Sequence, residues 1–296
     1  MKNIIVITGG AGFIGSNLIE LLLKKTKKFK FISLDDYSSG KKNNHIKNPR
    51  VKYIKGSTIN IKKHLLKYQK QIHSLFHFGE FARIYQSFKY YDECFKSNSI
   101  GTNEVLKFCL DFKIKLIYSA TSASLGNSGD DKNLSPYAFS KAKNLELLEN
   151  LKKWFNFKFE VIYFYNVYGP KQIRSGPMAT VIGIFEKKFE DNKRMPVVSP
   201  GTQSRRFTHV LDTVQICYEA WKKNKCRHYS ISNTNSYSII QVAKMFKSSI
   251  VFLKPRSGER YASALTKFSY KNKVISRFGK IKLQDYITSF IKGSKL

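Results

Sequence analysis

Acidic side chains are scarce in this chain. Against 20 Asp and Glu stand 53 Lys and Arg, so the 296 residues carry a formal net charge of +33. Such an excess raises the question of a nucleic-acid or anionic-surface partner. The lysines, however, are scattered as pairs (Lys24-Lys25, Lys27-Lys28, Lys41-Lys42, Lys187-Lys188) rather than gathered in one arm. Lys also far outnumbers Arg, and Asn, Ile, Phe and Tyr are abundant, all residues with AT-rich codons. The charge therefore reads as a solvated basic surface that attracts anionic substrates, which disfavours nucleic acid as the partner. Cysteines are few. Cys94, Cys109, Cys217 and Cys226 form no C-x-x-C and no metal-like spacing, so free thiols in a reducing cytoplasm are expected and no metal site is. No apolar run approaches the ~18 residues that a membrane span needs. The start, Met1-Lys2 and then apolar residues, is interrupted by a glycine turn, so it reads as a first strand rather than a signal peptide. Internal repeats and low-complexity linkers are missing too.

That glycine turn is the most informative segment present. Asn3-Ile4-Ile5-Val6-Ile7 runs into Thr8-Gly9-Gly10-Ala11-Gly12-Phe13-Ile14-Gly15, and a helical pattern follows through Leu18, Ile19, Leu21 and Leu23. Gly10, Gly12 and Gly15 fit G-x-G-x-x-G, while Gly9, Gly12 and Gly15 fit G-x-x-G-x-x-G. Glycines let the backbone approach a pyrophosphate, and the helix N-terminus aims free N–H groups at it. Asp35 ends the apolar run Phe31-Ile32-Ser33-Leu34, at the distance where a carboxylate binds the adenosine ribose. It would repel a 2′-phosphate, which favours NAD over NADP.

Strand and helix patterns alternate through the first half. Strands are expected at 3–7, 30–34, 51–55, 73–78, 115–120 and 159–165, and helices near 15–25, 61–70, 92–112 and 137–154. This predicts an α/β fold with a doubly wound parallel sheet. The second half is mixed: helices at 178–192, 211–223, 237–246 and 283–292, and a short strand at 195–198 closed by Ser199-Pro200-Gly201. We expect a dinucleotide-binding unit over 1–166 and a smaller, mainly substrate-binding portion over 167–296, with segments near 203–235 returning to the sheet.

Strand 115–120 ends at Thr121, and Tyr137 and Lys141 follow at i and i+4 on one helix face. An ammonium beside a phenol lowers its pKa and fits it for work as a base. Together with the glycine turn, Asp35, Asn98 and Asn166-Val167-Tyr168-Gly169-Pro170, these residues give the chain its resemblance. It resembles the extended short-chain dehydrogenase/reductase family, nearest to the nucleotide-sugar epimerases and dehydratases of the UDP-glucose 4-epimerase type, from Asn3 to about Phe268. The resemblance implies a Rossmann-type fold and NAD as cofactor. Gly9, Gly12, Phe13, Ile14 and Gly15 would hold the pyrophosphate, Asp35 the adenine ribose, and Asn98 would belong to the cofactor site. Tyr137 would be the base, with Lys141 on the nicotinamide ribose and Thr121 on the reacting hydroxyl. Asn166, Arg205 and Arg256 would bind the substrate diphosphate, Val197 would lie against the base, and Glu259 would take the substrate ribose. Helices 92–112 and 137–154 would form a homodimer.

Departures from the family pattern are Arg206 for an expected Asp, Gly56-Ser57 for Gly-Asp, Tyr163 for an Arg, and a short loop from Gly126 to Pro136. The reaction expected is epimerisation. Thr121-Ser122-Ala123-Ser124 lacks the carboxylates that a 4,6-dehydratase or decarboxylase carries after the threonine, so elimination has no acid and base. A small residue at Ser263, where stricter relatives have Tyr, leaves room for an acetamido group and leans towards a UDP-N-acetylhexosamine. Rival readings are an ADP-heptose 6-epimerase, suggested by Gly176-Pro177-Met178-Ala179-Thr180, a sugar-nucleotide reductase or dehydrogenase, and a non-catalytic RNA-binding or regulatory module on the same fold.

Overall fold

The structure is a computed structural model and describes residues 2–124, 132–223, 227–258 and 275–294. Strand β1 (Ile4–Thr8) is buried at every position. That is the burial of a strand covered on both sides, which an unbroken apolar run serves. Helix α1 (Phe13–Lys25) follows, then β2 (Lys30–Asp35), β3 (Val51–Lys55), α2 (Ile61–Leu65) and β4 (Ile72–His77). Next come α3 (Gln86–Lys89), α4 (Tyr91–Phe95), α5 (Thr102–Asp111), β5 (Lys115–Thr121), α6 (Pro136–Phe155) and β6 (Phe159–Phe164). The remainder is β7 (Val167–Tyr168), α7 (Val181–Glu190), β8 (Met195–Val198), β9 (Ser204–Arg206), β10 (Thr208–His209), α8 (Val210–Lys222), β11 (His228–Ser232), β12 (Ser236–Ser238), α9 (Ile239–Met245), β13 (Ile250–Leu253), β14 (Ile275–Phe278) and α10 (Leu283–Gly293).

Eight strands form one sheet in the order β14-β11-β6-β5-β4-β1-β2-β3, and every neighbouring pair is parallel. The chain winds outwards from β1 to β3, then crosses back to lay β4 on the other side of β1. Between β1 and β4 the winding reverses, and ligands bind outside the carboxyl ends of strands at such a point. The alternation of side chains along each strand splits the core in two. Val6, Leu34, Leu75, Leu116 and Val161 face α2, α5 and α6. Ile5, Ile7, Phe76, Ile117 and Ile162 face α1 and α8.

The expected helix over 92–112 has an unforeseen feature. Between α4 and α5 the turn Lys96–Gly101 is a π-helix, a widening often found at functional sites. After β6 the chain builds a smaller unit with its own core, including Ile182 and Phe185 of α7, Met195 and Val197 of β8, Val242 and Phe246, and Leu283 and Ile287 of α10. Three two-stranded pairs frame it: β7 with β10, β9 with β12 and β8 with β13. The chain returns to the main sheet at β11, and β14 then adds an edge strand that the sequence pattern did not indicate. Cys94, Cys109 and Cys217 are buried free thiols, while Cys226 lies outside the described residues.

Candidate active site

The turn after β1 is shaped by close approach. Gly9 adopts φ +70°, and a Cβ there would meet Gly79 N at 2.8 Å. At Gly15 a Cβ would lie 2.2 Å from Gly9 O, so only glycine lets α1 start this close to the turn. Gly12 is the N-cap of α1, and no side chain caps the helix. Its first N–H groups are thus open to an anionic ligand. Phe13 and Ile14 of this first turn border the main cavity. At the end of β2, Asp35 Oδ2 accepts from Ala11 N at 2.9 Å and Oδ1 from Tyr37 N at 2.8 Å. Burial raises the Asp35 pKa while these backbone donors pull it down. The carboxylate ties the turn to the loop that follows β2, and with about four acceptor sites it retains capacity for a ribose hydroxyl. Such a cradle, in which added Cβ atoms would collide, fits a dinucleotide pyrophosphate.

Tyr137 lies in the first turn of α6, which Ser135 caps by accepting from Ala138 N at 3.1 Å. Thr121, at the tip of β5, hydrogen-bonds to the phenol and holds Ala123 N at 3.1 Å. Lys141 is one helical turn further on and 3% exposed. Its ammonium pairs with Glu80 Oε2 and donates to Ser119 O, and it sits 4.6 Å from the Tyr118 ring centroid. The expected lowering of the Tyr137 pKa is therefore corrected. Burial pushes the phenol up to about 12, with the Glu80 charge adding to this, while the Thr121 hydrogen bond and the Arg83 charge act the other way. The ammonium faces Glu80 and β5 rather than dominating the phenol.

Glu80 is the residue that the sequence reading missed. Its side chain is 2% exposed. Oε1 accepts from Thr102 Oγ1 at 3.0 Å, Tyr118 OH at 3.1 Å and Asn144 Nδ2 at 3.4 Å. A directed chain of hydrogen bonds leads to it from the glycine turn. Thr8 Oγ1 accepts from Phe78 N and Gly79 N at 3.1 and 3.0 Å. Its own proton is then left for His77 Nδ1, 2.7 Å away. His77 must carry its proton on Nε2, which donates to Thr102 Oγ1 at 2.9 Å, and Thr102 passes its proton to Glu80. Burial accordingly lowers the His77 pKa to about 4. Acidic residues are rare in this chain, and a carboxylate three positions after the buried His77 was the available signal.

A cavity of about 380 Å³ opens between the sheet and the smaller unit. Thr121, Tyr137, Arg83, Asn166, Arg205 and Arg256 all border it. Asn166 has φ +33° and donates to Arg206 O at 3.0 Å. Arg205 Nη1 donates to Ser204 O at 2.8 Å, and the Arg256 guanidinium lies 5.2 Å from the Tyr85 ring centroid. Arg206, the departure noted above, turns away and donates to Asn233 O at 2.8 Å. Among the described lining residues none is Asp or Glu.

Two assignments change. Val197 is fully buried in the core of the smaller unit. Strand alternation instead presents its neighbours Pro196 and Val198 to the cavity. Asn98 is fully buried as well. It sits in the π turn, accepts from Phe81 N at 2.7 Å and donates to Phe81 O at 3.0 Å, so it clamps the segment after β4 rather than meeting a cofactor. Glu259 and Ser263 lie outside the described residues, as does most of the loop from Gly126 to Pro136. Among the described residues, no three His, Cys, Asp or Glu gather as metal ligands and no helix is long and apolar enough to cross a membrane.

Comparison with known proteins identifies the family. The chain is 29% identical over 267 residues to a dTDP-D-glucose 4,6-dehydratase of Dictyostelium discoideum, covering 81% of this chain and 60% of that protein. It is 28% identical to the ADP-L-glycero-D-manno-heptose-6-epimerase of Brachyspira hyodysenteriae, covering 82% and 80%. To a putative UDP-glucose 4-epimerase of Methanocaldococcus jannaschii it is 26% identical, covering 87% and 88%. The fold matches a crystal structure of the Thermotoga maritima UDP-glucose 4-epimerase with UDP-glucose at a TM-score of 0.86 and 23% identity, over 98% of this chain and 97% of that one. Residues 5–232 match the sequence model of the NAD dependent epimerase/dehydratase family. The chain therefore belongs to the NAD dependent epimerase/dehydratase family, and its cofactor is NAD.

Proposed function

We propose that this chain epimerises a nucleotide sugar, most simply at C4 of a UDP-hexose or UDP-N-acetylhexosamine, through a 4-keto sugar. The observation that carries the reading is the composition of one cavity. Thr121 and Tyr137 stand where a sugar hydroxyl can be deprotonated, Asn166, Arg205 and Arg256 offer donors for a diphosphate, and the described lining has no carboxylate to drive elimination. Residues 1–166 serve as the cofactor unit and 167–296 mainly as the substrate portion. Gly9, Gly12, Phe13, Ile14 and Gly15 would hold the pyrophosphate and Asp35 the adenosine ribose. Bound NAD supplies the acceptor of a hydride from the sugar carbon and the donor that returns it. Tyr137 removes the hydroxyl proton as the carbonyl forms and gives it back on reduction, with Thr121 orienting the phenol. Arginine forks match phosphate oxygens. Glu259 on the substrate ribose and Ser263 as the opening for an acetamido group complete the reading.

A homodimer through α4, the π turn and α6 is part of the proposal. Tyr91, Phe95, Ile100 and Phe139 are 54, 45, 43 and 47% exposed there, more large apolar surface than scattered single residues would leave. The likeness to a heptose 6-epimerase keeps that reaction as a second reading, since Ala179 and Thr180 border the cavity. Incubation of the purified protein with UDP-glucose and with UDP-N-acetylglucosamine, followed by proton NMR of the sugar, tests the reading. Formation of the C4 epimer without net reduction of added NAD supports it. A stoichiometric rise in the reduced-nicotinamide band indicates a dehydrogenase instead.

A further inference from the structure

Arg256 is an exposed side chain on the rim of the cavity, and what holds it is a ring. Its guanidinium lies 5.2 Å from the Tyr85 ring centroid. Among the described residues it makes no hydrogen bond and no ion pair. Tyr85 stands just before α3, is 46% exposed and borders the same cavity. The two segments meet a second time. Gly258 adopts φ +74°, and a Cβ there would lie 2.8 Å from Phe88 Cε2 and 3.2 Å from Ile84 Cγ2. The missing side chain lets residues 256–258 settle on residues 84–88. Tyr85 and Phe88 follow β4 in the cofactor unit, whereas Arg256 and Gly258 follow β13 in the substrate portion. The contact therefore joins the two portions at the edge of the cavity. The kind of contact matters. A carboxylate would also fix this long side chain, but it would occupy the forked N–H donors that phosphate oxygens need. The face of a phenol ring attracts the cation through its quadrupole and leaves those donors open.

We propose that Tyr85 is a positioning residue for the substrate: its ring holds Arg256 at the cavity, with its donors open, for the diphosphate of the nucleotide sugar. This rests on the reading of Arg256 as a diphosphate cation. The phosphates then meet a guanidinium that is already oriented, so less side-chain freedom is lost on binding. Tyr85 contributes to affinity in this way without touching the substrate itself.

The test is a double-mutant cycle on UDP affinity, measured by calorimetry on the NAD-loaded protein. Tyr85→Leu keeps an apolar side chain but removes the ring face, and it weakens UDP binding about threefold. Tyr85→Phe keeps the ring and binds UDP about as tightly as wild type. Arg256→Gln weakens binding about tenfold or more. In that background Tyr85→Leu has nothing left to orient and adds no further loss. Unchanged affinity in Tyr85→Leu, or the same loss recurring beside Arg256→Gln, overturns the proposal. So does a Tyr85→Phe protein as weak as Tyr85→Leu, because the hydroxyl and not the ring would then be at work. Full affinity in Arg256→Gln would remove the diphosphate reading of that residue, and the proposal with it. Because no sugar is turned over, failure to epimerise any UDP-sugar would sink the proposed function without altering this result.

Discussion

Acidification acts on this fold through one buried imidazole. His77 is fully buried. It must be neutral to accept from Thr8 at Nδ1 and donate to Thr102 at Nε2. Protonation would set a second N–H against the proton that Thr8 donates. Burial lowers its pKa from 6.5 to about 4, against the pull of the Glu80 charge. The unfolded chain therefore binds a proton at His77 from about pH 6.5 downwards, and the native state binds it only near pH 4. Between those values the unfolded state holds more protons, so stability falls as the pH falls. The loss is complete below the native value and amounts to about 3 kcal/mol. The assay is urea unfolding at a series of pH values from 7.5 to 4, run on wild type and on His77→Gln. The variant starts less stable, because the directed hydrogen-bond chain is broken, but its curve is flatter by about 3 kcal/mol across the window. Other groups titrate in both proteins and cancel in the difference. Parallel curves for the two proteins would refute the assignment of a neutral, singly protonated His77.

Four further outcomes follow from the same geometry. Gly15→Ala places a Cβ 2.2 Å from Gly9 O, and calorimetry should show NAD affinity reduced by at least ~10-fold; undiminished affinity would remove the cradle argument. Asp35→Ala strips Ala11 N and Tyr37 N of their acceptor, costing about 1–3 kcal/mol in denaturant unfolding, and it narrows the preference for NAD over NADP in competition binding. Tyr137→Phe lowers turnover by about 10²–10⁴ with NAD binding retained, and equal losses in both would mean a structural role only. Tyr91→Glu with Phe95→Glu, at two exposed positions of α4, shifts sedimentation from dimer to monomer mass, whereas an unchanged mass would place the contact elsewhere.

What could be read from the sequence was local. The glycine turn is eight consecutive residues between a strand and a helix, so spacing alone located it. Tyr137 and Lys141 are one turn apart on α6, as their i and i+4 positions require. Partners far apart in sequence were not legible. Glu80 meets Lys141 across 61 positions, a pairing that no local pattern announces. The resemblance put Val197 in the cavity, but its face of β8 is set by packing against α7 and α9, which turns Val197 inward and its neighbours outward. The resemblance put Asn98 in the cofactor site, yet the π turn aims its amide at the Phe81 backbone. The edge strand β14 carries no pattern of its own; its pairing with β11 makes it a strand.

In the proposed reaction hydride leaves a sugar carbon and returns to the same carbon within one cavity. This is tested most directly with UDP-sugars deuterated at C4, glucose and N-acetylglucosamine in parallel, analysed by NMR and mass spectrometry after turnover. The expected products are C4 epimers that keep the deuterium, with none in free reduced nicotinamide and none lost to water. A 6-deoxy-4-keto product, or deuterium accumulating in released reduced nicotinamide, would contradict it.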